Sequence, residues 1–211
     1  AIVNYNKTIE LKPDYVETLY NLGITLQKLG RLSEAESSYK RAIELKPDYT
    51  EAYNNLGIIL YELGRLEESI LSYRKAIELK PNYAEAYNNL GNTQKSLRKL
   101  DEALTSYNSA SAINSDIDYL MGALLNTKMY LCIWSDLSIH INKLIKKINI
   151  NEKVSFPFPL LSLIDDPSIH RKAAEIYSTN EFPKSDILPK IPHYNYHKRI
   201  RIGYFSSDFN N

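Results

Sequence analysis

Apolar positions in the first 117 residues recur in blocks with a fixed period. Leu22, Leu56 and Leu90 lie 34 residues apart, as do Leu32, Leu66 and Leu100, and Tyr39, Tyr73 and Tyr107. Small residues keep the same step: Gly23, Gly57 and Gly91; Ala35, Ser69 and Ala103; Ala42, Ala76 and Ala110. Within a block the apolar residues return every three or four positions, the spacing of a helix with one buried face. Small residues suit places where helices approach to ~8–10 Å, and the larger ones fill between them. Gly30 and Gly64 fall where a first helix must end. Pro47 and Pro81 fall just past a second helix, where a missing N–H is tolerated. The pattern predicts helix pairs at 16–49, 50–83 and 84–117, with residues 1–15 supplying the second helix of an earlier pair. Ile2, Tyr5 and Ile9 would then lack a first-helix partner. Since such pairs bury their apolar faces only against neighbours, further pairs are expected upstream.

The period then decays. Arg98 replaces the turn glycine and Ser115 the proline. Across 118–150 a new pattern follows, with Leu120, Met121, Leu124, Leu125 and Leu131 suiting one helix. Trp134, Leu137, Ile141, Leu144, Ile145 and Ile148 suit another, and the two read as capping helices. Residues 151–198 hold six of the nine prolines and read as a connector packed along a surface. A short helix is expected near 167–178, with Asp166 as N-cap, Pro167 in the first turn, and Ile169, Ala173, Ile176 and Tyr177 as its apolar stripe. Pro183, Pro189 and Pro192 keep the following stretch extended. Residues 199–211, "RIRIGYFSSDFNN", break with everything before them. Ile200, Ile202, Gly203, Tyr204 and Phe205 suit the first strand of a buried parallel sheet, followed by a Ser-Ser-Asp turn. One strand is not a domain, so this end also reads as cut from something longer. The expected fold class is all-α, a solenoid of helix pairs with a C-terminal connector and one orphan strand.

Charge and composition narrow the function. The 211 residues carry 26 Lys+Arg against 25 Asp+Glu, which argues against a general nucleic-acid or membrane-surface partner. No apolar run approaches the ~20 residues needed to span a bilayer. The single cysteine, Cys132, cannot form an internal disulfide, which suits a reducing compartment and a cytoplasmic protein. Lying in an apolar stretch beside Trp134, it is expected to be buried and inert. Most of the 17 tyrosines fall at core positions, so base stacking is not indicated. His193 and His197 are four apart but adjoin Pro192 without a metalloprotease motif. His140 and His170 read as surface or packing residues, so no metal site is expected. Ser206 lacks a nucleophile-elbow setting.

One polar position does repeat on the first helices, as Asn21, Asn55 and Asn89, with Asn54 and Asn88 forming a second row. A primary amide has two donors and an acceptor and can pair with a peptide's N–H and C=O together. First helices ~10 Å apart, set against ~3.3 Å per residue of extended chain, would place one asparagine at about every third residue of a bound peptide. Two readings stand: a ladder that holds peptide largely independently of its sequence, or a common repeat residue bonded to water.

The period and its "AIELKPDYTEAYNNLG" signature resemble the tetratricopeptide repeat (TPR). Three pieces together resemble the TPR-containing protein O-GlcNAc transferases: the repeat array; "MYLCIWSDLSIHINKLIKKI" followed by "FPFPLLSLIDDPSIHRKAAEIY"; and "RIRIGYFSSDFNN". That resemblance implies a parent glycosyltransferase with two Rossmann-like lobes. It would move N-acetylglucosamine from UDP-N-acetylglucosamine to Ser or Thr hydroxyls without a metal, with the repeats guiding protein substrates. The chain stops before the histidine that usually follows this loop in the family, and it lacks the nucleotide-holding lobe. No catalytic residue carries over; Ser206, Ser207 and Asp208 mark only the entry of an active-site cleft. The alternative is a non-enzymatic adaptor that binds protein partners, its terminal strand adding to a partner's sheet.

Overall fold

A computed structural model describes residues 2–182 and shows an all-helical solenoid over that span. The predicted strand at 199–211 and the end of the connector from 183 lie outside the described residues, as do Ser206, Ser207, Asp208, His193 and His197. A leading helix, α1 (Ile2–Leu11), is followed by three pairs: α2 (Val16–Lys28) with α3 (Leu32–Leu45), α4 (Thr50–Glu62) with α5 (Leu66–Leu79), and α6 (Ala84–Ser96) with α7 (Leu100–Ile113). Then come α8 (Leu120–Tyr130), α9 (Leu137–Asn149), the short α10 (Pro157–Leu160) and α11 (Pro167–Glu181).

The turn inside each pair has one geometry. Gly30 adopts φ +72°, and the next amide, Arg31 N–H, reaches back to Leu26 C=O at 2.9 Å, closing the helix end in a Schellman turn. Gly64 repeats this with φ +77° and Arg65 bonded to Leu60. The left-handed position survives without glycine: Arg98 takes φ 57°, and 34 residues later Cys132 takes φ 55°, with Ile133 N–H bonded to Lys128 C=O. The backbone step of the repeat therefore continues through α8 and α9. It also corrects two expectations. Cys132 is exposed, because the C-terminal turn of α8 lifts it off the core. Trp134 is not part of the α9 stripe. Asp136 turns left-handed at φ 55° just before α9, and the indole stays 57% exposed.

Each pair is closed by a glycine on its first helix receiving a tyrosine from its second: Gly23 with Tyr39, Gly57 with Tyr73, Gly91 with Tyr107. The three tyrosines are almost fully buried. At the matching positions of α8 and α9 stand Leu125 and Ile141, which share one apolar cluster with Tyr107, Leu144 and Ile148. First helices pack on one another in sequence, α2 on α4, α4 on α6 and α6 on α8, whereas among the described residues the second helices α3, α5 and α7 do not pack on each other, and α3 meets the start of α5 through the Glu36–Arg65 ion pair. The stack therefore curves with its first helices inside. After α9 the chain turns back to α8; α10 packs on α8, and α11 packs on α9. Pro157 and Pro159 confine α10 to four residues. Asp166 caps α11, its carboxylate accepting from Ser168 N–H at 2.8 Å and Ile169 N–H at 3.4 Å.

Candidate peptide-binding groove

The predicted asparagines sit on the first helices, α2, α4 and α6, which line the inside of the curve. The structure joins three of them to each other. Asn89 donates to Asn54 Oδ1 at 3.1 Å, Asn54 to Asn55 Oδ1 at 3.3 Å, and Asn55 to the Tyr20 hydroxyl at 3.1 Å. Asn54 is buried, while Asn55, Asn88 and Asn89 are half-buried and Asn21 is exposed. Asn21 and Asn88 take no part in the chain of amides. Each NH2 group in the chain uses one of its two hydrogens in these bonds, so a second donor remains per amide. Tyr20 occupies in α2 the repeat position of Asn54 and Asn88. Its ring lies 4.8 Å from that of Tyr49 and 5.9 Å from that of Tyr39. Burial raises the Tyr20 pKa, and the bond from Asn55 partly offsets this.

The rungs share a spacing that period counting alone does not reveal. Asn55 follows Tyr20 by 35 residues, and Asn89 follows Asn54 by 35. Further along the same helices, Gln27 donates to Glu62 Oε1 at 3.3 Å, and Tyr61 and Ser96 share a bond of 3.1 Å; each of these pairs also differs by 35. A helix neighbour across the groove is thus one full repeat plus one residue away.

Between these two rows of rungs lies a groove of about 590 Å³, walled by Ile58, Tyr61, Asn89, Asn92, Lys95 and Phe156. Asn92 accepts from the Tyr107 hydroxyl at 2.8 Å. Lys95 Nζ donates to Asn126 Oδ1 at 2.7 Å and sits 5.9 Å from the centre of the Tyr130 ring. Desolvation lowers its pKa. The site therefore offers amide donors and acceptors, aromatic walls and one partly desolvated cation. Such a surface can hold backbone and small polar groups; among the described residues that line it there is no nucleophile–base pair. His140 and His170 lie elsewhere, each bonded at 2.8 Å to a backbone carbonyl, of Asp136 and Ile164 respectively.

Comparison with known proteins follows the same division. The family described as "TPR repeat" matches residues 1–30, 28–64 and 59–98, and "Tetratricopeptide repeat" matches 84–117. No curated protein matches the chain. Among solved structures, a crystal structure of MamA is similar at 22% identity, covering 85% of this chain and 88% of that one, with a TM-score of 0.61. MamA from Desulfovibrio magneticus RS-1 aligns at 17% identity over 69% of this chain and 82% of that one, TM-score 0.63. The first TPR of Spaghetti (RPAP3), bound to the HSP90 peptide SRMEEVD, aligns at 20% identity over 56% of this chain and 93% of its own, TM-score 0.54. At these identities the likeness is one of fold.

Proposed function

We propose that this chain, whose residues 1–117 belong to the tetratricopeptide repeat family, is a protein-interaction scaffold that holds a partner as an extended peptide in the groove of its first helices. The observation that carries this reading is the amide row itself. Asn55 and Asn89 are fixed by bonds across neighbouring helices, to Tyr20 and to the buried Asn54, and each keeps a spare donor on the half-buried inside of the curve. Pre-ordered amides lose little side-chain entropy on meeting a peptide backbone. A fold neighbour solved with a peptide bound is consistent with this use. The test is a linear peptide enriched on the protein from a random library, titrated against wild type and Asn55→Ala/Asn89→Ala. Two lost amides at ~0.5–1.5 kcal/mol each weaken binding by about thirtyfold, within a range of roughly five- to 150-fold. Unchanged affinity in a folded double variant removes the reading.

A second reading is carried by the tail "RIRIGYFSSDFNN" and the connector, which resemble protein O-GlcNAc transferases. Here the groove would feed protein substrates to a glycosyltransferase region using UDP-N-acetylglucosamine. The matched families end at residue 117, so this reading rests on the resemblance alone. Assay of UDP-N-acetylglucosamine turnover by the natural full-length product decides it. Turnover with transfer to Ser or Thr supports the transferase, and its absence leaves the adaptor.

A further inference from the structure

Gly122 stands 34 residues after Asn88 and 68 after Asn54, at the first-helix position where the two preceding pairs carry an asparagine and the first pair Tyr20. The chain itself lies over it. A Cβ on Gly122 would come within 2.7 Å of Ser155 Cα and closer still to the Ser155 side chain. The N–H groups of Tyr119 and Gly122 donate to the carbonyls of Lys153 and Val154, the second at 2.8 Å. The first turn of α8 is thus capped by a returning strand of backbone. Val154 and Ser155 are buried, and Phe156 is extended at φ −64°, ψ 149°. The Phe156 ring stacks on Tyr119 at 4.2 Å and forms one wall of the groove that Asn89, Asn92 and Lys95 also line.

We propose that Lys153–Phe156 is a built-in occupant of the groove, filling the share of the fourth first helix and setting where a bound partner must stop. The partner is then a short extended segment held on α2, α4 and α6 that ends, or turns away, against Phe156. Three helices ~10 Å apart span ~20 Å, which is about six or seven extended residues. The inference rests on the peptide-holding reading above.

Gly122→Asn places the asparagine of the two preceding repeats at this position and displaces Ser155 by its Cβ. Phe156→Ala keeps the segment's backbone and removes only the end wall. The probe is the peptide enriched on wild type, shortened from each end, then rebuilt with a few randomised residues at either end and selected again. Wild type gains less than about twofold from the added residues, whereas Gly122→Asn gains about tenfold at one end only, as expected for one more helix of contacts. If Gly122→Asn fails to fold, Phe156→Ala must show a gain at one end of the peptide only. A wild-type groove that already profits from added residues at both ends overturns the inference, as does a folded variant with no gain. If no amide-dependent peptide is enriched on wild type, the peptide-holding reading falls and this inference falls with it. An amide-dependent peptide without a length gain overturns this inference alone.

Discussion

The Tyr73 ring occupies the space that a side chain on Gly57 would need: a Cβ there would lie 2.6 Å from Tyr73 Cε1. Gly23 with Tyr39, at 2.6 Å, and Gly91 with Tyr107, at 2.7 Å, repeat the relationship. The fourth pair divides the same volume differently, as Leu125 and Ile141. Overpacking costs ~1–3 kcal/mol, and truncating a buried aromatic ~3–5 kcal/mol. Gly57→Leu and Tyr73→Ile should each destabilise, while the double variant, which copies the fourth pair, should lose about 1–3 kcal/mol less than their sum. Urea unfolding of the four proteins measures this; strict additivity would show that glycine and ring do not share one space.

Arg98 and Cys132 hold a left-handed backbone that glycine holds at Gly30 and Gly64. Relieving a non-glycine left-handed residue is worth ~1 kcal/mol, net of glycine's greater freedom when unfolded. Arg98→Gly and Cys132→Gly should each raise the urea midpoint with the m-value unchanged. A lower midpoint would mean that the side chains contribute more than their backbone costs.

Glu36 links two consecutive pairs. Its carboxylate, only 12% exposed on α3, accepts from Lys40 at 2.7 Å and from Arg65, at the start of α5, at 2.8 Å. Burial alone would raise its pKa, but the bonds from Lys40 and Arg65 outweigh this and hold it below the ordinary carboxylate value. A depressed folded-state pKa stabilises above the unfolded value and loses that contribution as pH falls through the folded one. Glu36→Gln should therefore unfold at lower urea than wild type at pH 7, with the gap closing as the pH drops below about 4. A gap independent of pH would assign the effect to packing.

The helix pairs were legible because Gly, Ala, Leu and Tyr recur at one step from Val16 to Ile113. Past that point the residue types change while the backbone step persists. Cys132 hides a turn that counting from Gly30, Gly64 and Arg98 would have found, and Leu125 and Ile141 hide the tyrosine–glycine contact by exchanging the large and small sides. The asparagines were legible as a row. Their bonds to one another were not, because they join a residue to its 35th successor and not its 34th. The return of Lys153–Phe156 onto α8 left only the small residues Gly122 and Ser155 as a trace, since pairing between backbone groups far apart in sequence carries no local periodicity.

In the proposed peptide-holding role, the amides inside the curve meet a peptide backbone. Side-chain NH2 resonances of Asn55 and Asn89, followed by NMR while an enriched linear peptide is titrated, test it most directly. Saturable shifts of both NH2 groups with the same dissociation constant are expected, larger than those of exposed asparagines such as Asn108 on α7. Saturable binding that leaves both NH2 groups unmoved and shifts residues of α3, α5 and α7 instead would contradict it.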